Sequence, residues 1–147
     1  MSRSPDSAHP MQNRAPGAES PRAGPSPSGL SIGRHAESLA AAFLELRGYR
    51  ILERNVRDGP RELDLVAEEA GWVVVVEVRF RQGTARGLPE ETVGFHKRTN
   101  LLRAGRARWL ERWRGLGRLR FDLISLHFTL DGLCLRHHRH FMNPDRR

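Results

Sequence analysis

The sequence predicts an α/β layer fold with a mixed sheet, whose elements follow the order helix, three strands, helix, two strands. Two segments carry apolar residues at helical spacing, and the others alternate in the manner of strands. The run 72–76 is apolar without interruption, which is typical of a central strand covered on both faces. With 147 residues, the chain is long enough for one domain with a substantial core.

The first helix follows a segment that is not expected to fold. Six of the nine prolines lie before residue 28, among Ser, Gly and Ala without apolar periodicity, so residues 1–29 are predicted to be a disordered tail. Ser31 can cap a helix that Gly48 ends, with apolar residues at helical spacing between them. We expect the folded domain to cover residues 30–141, followed by a basic tail over 142–147.

Three strands are predicted next, at 49–56, 62–67 and 72–79, separated by turns at 57–60 and 69–71. In the second, Leu63, Leu65 and Ala67 are expected on one face. Residues 80–93 form a loop, and a second helix is expected over 95–114. Its predicted buried stripe consists of Leu101, Leu102, Gly105, Trp109 and Trp113. The strands 119–128 and 133–139 complete the sheet.

The composition favours a polyanionic partner. The net charge is +8, and Lys97 is the single lysine among 25 basic residues. Such a charge favours DNA or RNA, although a general bias towards arginine is an alternative explanation. The lone Cys134 excludes an internal disulfide and fits a reducing compartment. The longest apolar run is far shorter than the roughly 20 residues of a membrane helix, so we expect a soluble, cytoplasmic protein without membrane contact.

Charged residues cluster where two neighbouring strands are expected to end. Residues i and i+2 of a strand share a face, so Glu62 projects with Asp64, and Glu77 with Arg79. If the two strands form a hairpin, Asp64 lies near Glu77. Two carboxylates suit Mg²⁺, with water and a phosphate as its other ligands. The alternative is an ion-pair cluster of the two acids with Arg79 and Arg61, whose role is to hold the sheet.

Several motifs together resemble the bacterial YraN-type family of uncharacterised proteins over about residues 32–141. They are GRHAE at 33–37, GYRILERNVR at 48–57, ELDLVA at 62–67, VEVR at 76–79, KR at 97–98 and RFD at 120–122. The resemblance implies a restriction-endonuclease-like core, with a mixed central sheet flanked by helices, and a PD-(D/E)xK-type site. Proteins of that superfamily are typically nucleases that depend on Mg²⁺, or on Mn²⁺ in its place.

Carried over by position, the resemblance makes Asp64 and Glu77 metal ligands and Glu37 a further acid supplied by a helix. Two positions depart from the pattern: Arg61 stands where the family usually has glycine, and Arg79 stands at the lysine position. Arginine can stabilise charge or grip a phosphate, but it keeps its proton and cannot act as a base.

Lys97 is a candidate replacement for the missing amine, because it lies near the start of the second helix and one turn before Leu101. The alternative is that Lys97 only neutralises the sheet acids or binds a phosphate. The candidate catalytic residues are therefore Asp64, Glu77, Arg79 and Lys97, and the candidate nucleic-acid contacts are Arg61, Arg81, Arg98 and Arg103.

Three hypotheses remain open from the sequence. The first is a nucleic-acid-binding protein that cleaves phosphodiester bonds with Mg²⁺ or Mn²⁺. The second is a degenerate nuclease domain that binds DNA or RNA without cleaving it. The third is a protein-interaction module in which the acid–arginine cluster is purely structural.

Overall fold

The computed structural model describes residues 29–83 and 87–145. Helix α1 (Gly29–Leu46) precedes strands β1 (Arg50–Asp58), β2 (Arg61–Glu69) and β3 (Trp72–Arg81). A short 3-10 turn, Pro89–Thr92, leads to helix α2 (Phe95–Arg108), which continues into a π-helical turn, Trp109–Trp113. Strands β4 (Arg118–Thr129) and β5 (Gly132–Met142) follow. The predicted order of helices and strands is confirmed.

The five strands form one mixed sheet in the order β1-β2-β3-β4-β5. β1, β2 and β3 are antiparallel neighbours, β3 and β4 are parallel, and β5 is antiparallel to β4. Parallel neighbours need a crossover connection, and α2 lies in the one that joins β3 to β4. The mixed α/β sheet predicted from the sequence is therefore present, and the side chains of residues 73–76 in its central strand are all buried.

Each face of the sheet carries one helix and one hydrophobic cluster. On the first face, α1 packs Ala36, Ala40 and Leu44 against the sheet. On the second, α2 packs Leu101 and Ala104. Gly105 allows a close approach there, since a Cβ atom added to it would lie 2.5 Å from Cε1 of Phe121. No helix in the described residues is long and apolar enough to cross a membrane.

Several element bounds differ from the sequence expectation. α1 already includes Gly29, so Ser31 lies within the helix and is not its cap; the rest of the predicted tail, 1–28, lies outside the described residues. β5 runs to Met142, beyond the predicted end near 139, because a shift in the β4–β5 register brings the Met142 side chain into the core. Of the predicted tail 142–147, residues 146 and 147 are not described.

The expected alternation in β2 fails at one point. Leu65 and Ala67 pack on the α1 face as predicted, but Leu63 packs on the α2 face. The change of face occurs at Asp64, opposite Asn55 of β1, whose φ is +50°. Positive φ distorts a regular strand, so the Asp64 region is irregular where the sequence pattern looked regular.

A group of buried charged residues lies on the face of the sheet that α1 covers. Arg120 is 1% exposed and donates to both carboxylate oxygens of Asp122, at 2.9 and 3.0 Å, and to the Tyr49 hydroxyl at 2.9 Å. Asp122 also contacts Nε2 of His137 at 2.8 Å and accepts a bond from the backbone N–H of His140. After Phe121 in a predicted strand, Asp122 is expected from the sequence to be a structural hydrogen-bond acceptor and not a metal ligand, and these contacts agree with that expectation.

The spacing of the histidines near the end of the chain does not match a zinc site, and the sequence predicts that they lie on a basic, exposed edge strand. The structure places only some of them there. His127 lies on β4 and is 3% exposed, and His137 is engaged with Asp122. His127 is buried because β4 is an inner strand, flanked by β3 and β5. His137 lies on β5, an edge strand, and its side chain is turned towards Asp122.

Removing Asp122 is expected to destabilise the fold strongly, because Arg120 would keep a buried charge without its main partner. Asp122→Ala should lower the free energy of unfolding by about 3–5 kcal/mol, measured by urea denaturation at pH 7. Glu111→Ala, at an exposed carboxylate paired with Arg108, should change it by less than about 1 kcal/mol. A cost below 1 kcal/mol for Asp122→Ala would show that the network does not stabilise the sheet.

Candidate functional site

The site lies where β2 and β3 stop pairing. Their backbone register runs from Glu69–Trp72 to Leu65–Val76. Asp64 and Glu77 are the next residues outward on each strand, so the hairpin places them opposite each other. The expectation that a β2–β3 hairpin would bring these two acids near each other agrees with this register.

Asp64 is fixed by the backbone of the neighbouring strand. The N–H of Val78 donates to Oδ2 of Asp64 at 2.8 Å. This hydrogen bond joins β2 to β3 beyond the last paired residues. One carboxylate oxygen is thereby oriented, and the side chain also interacts with the carboxyl group of Glu77.

Glu77 is a buried acid, 3% exposed, at the end of the apolar run. Two cations lie 3.2 Å from its Oε1 atom: Nε of Arg79, on the same strand, and Nζ of Lys97, from the first turn of α2. The other oxygen, Oε2, is buried and has no hydrogen-bond partner among the described residues. An orphaned buried carboxylate oxygen is costly, so this atom has capacity for a ligand.

The surroundings of the two acids disfavour their ionised forms and raise both pKa values. Burial, and then the charge of Asp64, raise the pKa of Glu77 to about 7, although Lys97 and Arg79 act in the opposite direction. Burial also raises the pKa of Asp64, against the hydrogen bond from Val78 and the charge of Lys97. Neighbouring carboxylates of this kind share a proton until a stronger positive charge replaces it.

Glu37, on α1, lies near Asp64 but does not form a three-carboxylate site with Asp64 and Glu77. Burial and the charge of Asp64 raise its pKa, while its side chain interacts with Asn55. Within the described residues, no three His, Cys, Asp or Glu side chains lie close enough together to hold a metal ion. Glu37 is thus a neighbouring acid, and the protein offers two carboxylates at this point.

Asn55 is a site neighbour that the sequence reading did not single out. It lies between the paired positions Arg54–Leu65 and Val56–Leu63, which puts it across from Asp64. Its positive φ and its interaction with Glu37 link the three elements around the acids. The available signal was an asparagine inside an expected strand, since asparagine tolerates positive φ better than most residues.

The two cations at Glu77 are not equivalent. Nε of Arg79 is near Oε1 but buried without a hydrogen bond of good geometry, so the contact is electrostatic. Lys97 brings a primary amine to the same oxygen from a different element. An ammonium is a compact point charge with three donors, whereas guanidinium is planar and suits bidentate contacts.

The predicted phosphate contacts lie in three different places. Arg61, at the start of β2, lies 3.9 Å from Asp58 and is not among the cations at Glu77. Arg81 and Arg79 both line an open cleft of about 600 Å³ between the start of α1 and the end of β3. Arg98 and Arg103 line a separate groove beside α2. The structure therefore brings only Arg81 into the same cleft as a residue of the Glu77 cluster.

The donor set fits a hard divalent cation. Mg²⁺ is usually bound through one or two carboxylates, with waters and phosphate oxygens completing its octahedron. Asp64 and the unpartnered Oε2 of Glu77 supply two oxygen ligands of this type. The ion-pair alternative also has support, since Arg79 and Lys97 already neutralise Oε1.

Comparison with solved structures gives a distant likeness. The structure of Pyrococcus furiosus SfsA in complex with Ca²⁺ matches with a TM-score of 0.26 and 18% identity, covering 76% of this chain and 62% of that one. A TM-score this low carries no conclusion about the fold.

Comparison by sequence is far more specific. A UPF0102 protein from Syntrophotalea carbinolica is 43% identical over 110 residues, 74% of this chain and 88% of the relative. Another from Rhodococcus opacus is 41% identical over 98 residues, 66% and 82% of the two chains. The model of the uncharacterised protein family UPF0102 matches residues 36–126, which include Glu37, Asp64, Glu77 and Lys97. These matches confirm the YraN-type resemblance, and the chain belongs to the uncharacterised protein family UPF0102.

Proposed function

We propose that this protein is a nucleic-acid-binding nuclease of restriction-endonuclease-like fold, which acts in the cytoplasm on DNA or RNA with Mg²⁺ or Mn²⁺. Asp64 and Glu77 hold the metal. The observation that carries the proposal is the buried Glu77 carboxylate, opposite Asp64, with one oxygen contacted by two cations and the other unpartnered. Paired buried acids whose pKa values are raised by burial, like those of Asp64 and Glu77, are typical of a functional site.

Each protein group near the site has a separate role in the proposed cleavage reaction. Val78 fixes the orientation of Asp64 through its backbone N–H. Asp64 and Glu77 would hold a metal ion that, when bound, would polarise the phosphodiester and lower the pKa of an attacking water. Lys97 places an ammonium beside Glu77, where it orients a water molecule and stabilises negative charge that develops on the phosphate. Arg79 and Arg81, at the cleft, bind phosphate oxygens.

Lys97 takes the place of the lysine that the PD-(D/E)xK pattern expects on the strand. Its Nζ and the Nε of Arg79 lie at the same distance, 3.2 Å, from Oε1 of Glu77. An amine that arrives from α2 can therefore reach the acid that a lysine at position 79 would reach. This supports a working site despite the arginine on β3.

The second candidate is a domain that binds nucleic acid without cleaving it. The observation that favours it is the double ion pair at Oε1, because Arg79 and Lys97 compensate Glu77 without any metal. The two candidates differ in what happens when Lys97 or Arg79 is replaced.

Substitutions at the acid pair test the nuclease proposal. With supercoiled, linear and branched DNA and with RNA, in Mg²⁺ or Mn²⁺, Asp64→Asn is expected to abolish cleavage, because it removes a metal ligand. Lys97→Ala should lower the rate about 100-fold, as expected for loss of one stabilising donor. Arg79→Lys should raise the rate. Gel assays of initial rates measure all three.

The matched control is Glu62→Gln, two residues before Asp64, which removes an exposed carboxylate and should leave the rate within about twofold. Circular dichroism establishes that each variant is folded. If the wild-type chain and Arg79→Lys bind nucleic acid but neither cleaves it, the second candidate replaces the first. If neither binds DNA or RNA, both candidates fail and the cluster is structural.

The affinity for metal should depend on pH. Because the pKa of Glu77 is about 7, metal binding below pH 7 displaces a proton, and the Mn²⁺ affinity should rise about fivefold from pH 6 to 7, about twofold more from pH 7 to 8, and level off above 8. Calorimetric titration without nucleic acid measures this, and two buffers of different ionisation enthalpy reveal the proton released. Glu77→Gln should weaken binding and remove the dependence.

The stability of the metal-free protein provides an independent check of the raised pKa of Glu77. An acid whose pKa is raised from 4.5 to about 7 binds more protons in the folded state between these values. Its contribution to stability is therefore lost as the pH rises from about 4.5 to 7. Glu77→Gln should flatten this decline. A Mn²⁺ affinity that is constant from pH 6 to 8 would contradict the proposed role of Glu77.

A further inference from the structure

A groove runs along the side of α2 that faces the end of β5. It consists of two adjoining cavities of about 830 and 630 Å³. Arg106, His140, Met142, Asn143 and Pro144 line both of them. The shared lining makes them one continuous depression, which we call the α2–β5 groove. None of its lining residues belongs to the Asp64–Glu77 pair.

The groove is basic. Arg98, Arg103, Arg106 and Arg118 line it, and Asp145 is its one acidic lining residue in the described part of the chain. The guanidinium of Arg98 lies 4.5 Å from the centre of the Phe141 ring. Arg103 and Arg106 are exposed, and no ion pair is found for either within residues 29–83 and 87–145. Two cations are thus available to an anionic ligand.

The groove is also apolar and aromatic, which a surface for phosphates alone does not need. Leu102, Phe141, Met142 and Pro144 contribute to its wall. Phe95, the first residue of α2, has 78% of its surface exposed at the groove's end. A large exposed aromatic ring beside arginines is the combination found where unpaired bases stack and the backbone is held by charge.

The groove begins at the turn of α2 that carries Lys97. Phe95 and Arg98 lie in the same first turn of α2 as Lys97, whose Nζ reaches Glu77. From Phe95 to Arg106 the helix rises about 17 Å, at 1.5 Å per residue. A strand lying in the groove would therefore pass the end of the helix that carries Lys97.

We propose that the α2–β5 groove binds an unpaired strand of nucleic acid that extends from the phosphodiester at the Asp64–Glu77 site. This inference rests on the proposed function and narrows its substrate class to nucleic acid with a single-stranded portion. Phe95 stacks on a base, and Arg103 and Arg106 contact phosphates. A fully paired duplex presents phosphates but no free base face, so it leaves Phe95 unused.

Binding measurements without divalent metal separate these contacts. Fluorescence anisotropy with a 12-nucleotide thymidine strand, the matching uridine strand and a 12-base-pair duplex gives the affinity of the full chain for each. Phe95→Ala should weaken single-strand binding about tenfold, in line with the roughly 1–3 kcal/mol that stacking contributes per base. It should weaken duplex binding less than twofold. Similar losses with thymidine and uridine strands indicate stacking without selection for the sugar.

The salt dependence of binding tests the proposed phosphate contacts of Arg103 and Arg106. The double variant Arg103→Gln with Arg106→Gln should weaken single-strand binding and lower the slope of log affinity against log salt by about 1.4, or 0.7 for each lost phosphate contact. Arg57→Gln, at an exposed arginine on the opposite edge strand, and Leu130→Ala, at an exposed leucine of the β4–β5 turn, are the controls and should change neither affinity nor slope.

The possible results test the groove assignment separately from the proposed nuclease function. If the wild-type chain binds the single strand and Phe95→Ala binds it equally well, the groove assignment is overturned while the proposed nuclease stands. If Phe95→Ala weakens duplex binding as much as single-strand binding, the single-strand assignment is likewise wrong and a duplex occupies the groove. If the wild-type chain binds no oligonucleotide, the proposed function fails together with the groove.

Discussion

The carboxylate of Glu77 is the charge around which the end of the sheet is organised. A carboxylate that is 3% exposed at the end of a buried valine run needs compensation from its surroundings. The chain supplies it from two elements, the same strand through Arg79 and the crossover helix through Lys97. Both cations lie against one oxygen, and the other has no partner in the described structure. The position of α2 over the sheet and the acid at the end of β3 are therefore coupled.

The fold was predictable where residue patterns are local. The apolar run 72–76 identified the central strand, and Gly105 and Leu101 indicated the buried side of α2. The bounds were less predictable, because they depend on tertiary contacts. Met142 extends β5 only because a register shift against β4 turns its side chain inward. Likewise, the placement of His127 on an inner strand follows from strand order, which periodicity does not encode.

The candidate site was predictable in its acids and less so in their surroundings. The predicted hairpin was enough to place Asp64 opposite Glu77, although the two-residue period of β2 breaks at Asp64. That Lys97 contacts the same oxygen as Arg79 required the actual packing of α2. Asn55 was missed because its role depends on one unusual backbone dihedral angle and not on residue type alone. Arg61, adjacent in sequence to the acids, pairs instead with Asp58 across a turn.

The first turn of α2 carries a residue that contacts the acid pair and a residue that lines the α2–β5 groove. Lys97 lies against the acid pair, and Arg98 lies in the α2–β5 groove one residue later. If binding at one of these places shifts the position of this turn, the occupancies of the two places are thermodynamically linked. Whatever factor a strand in the groove adds to metal affinity, the metal must add to strand affinity. Because that reciprocity would come from one helical turn, a change in the position of α2 would alter the affinity for a strand and the affinity for a metal ion together.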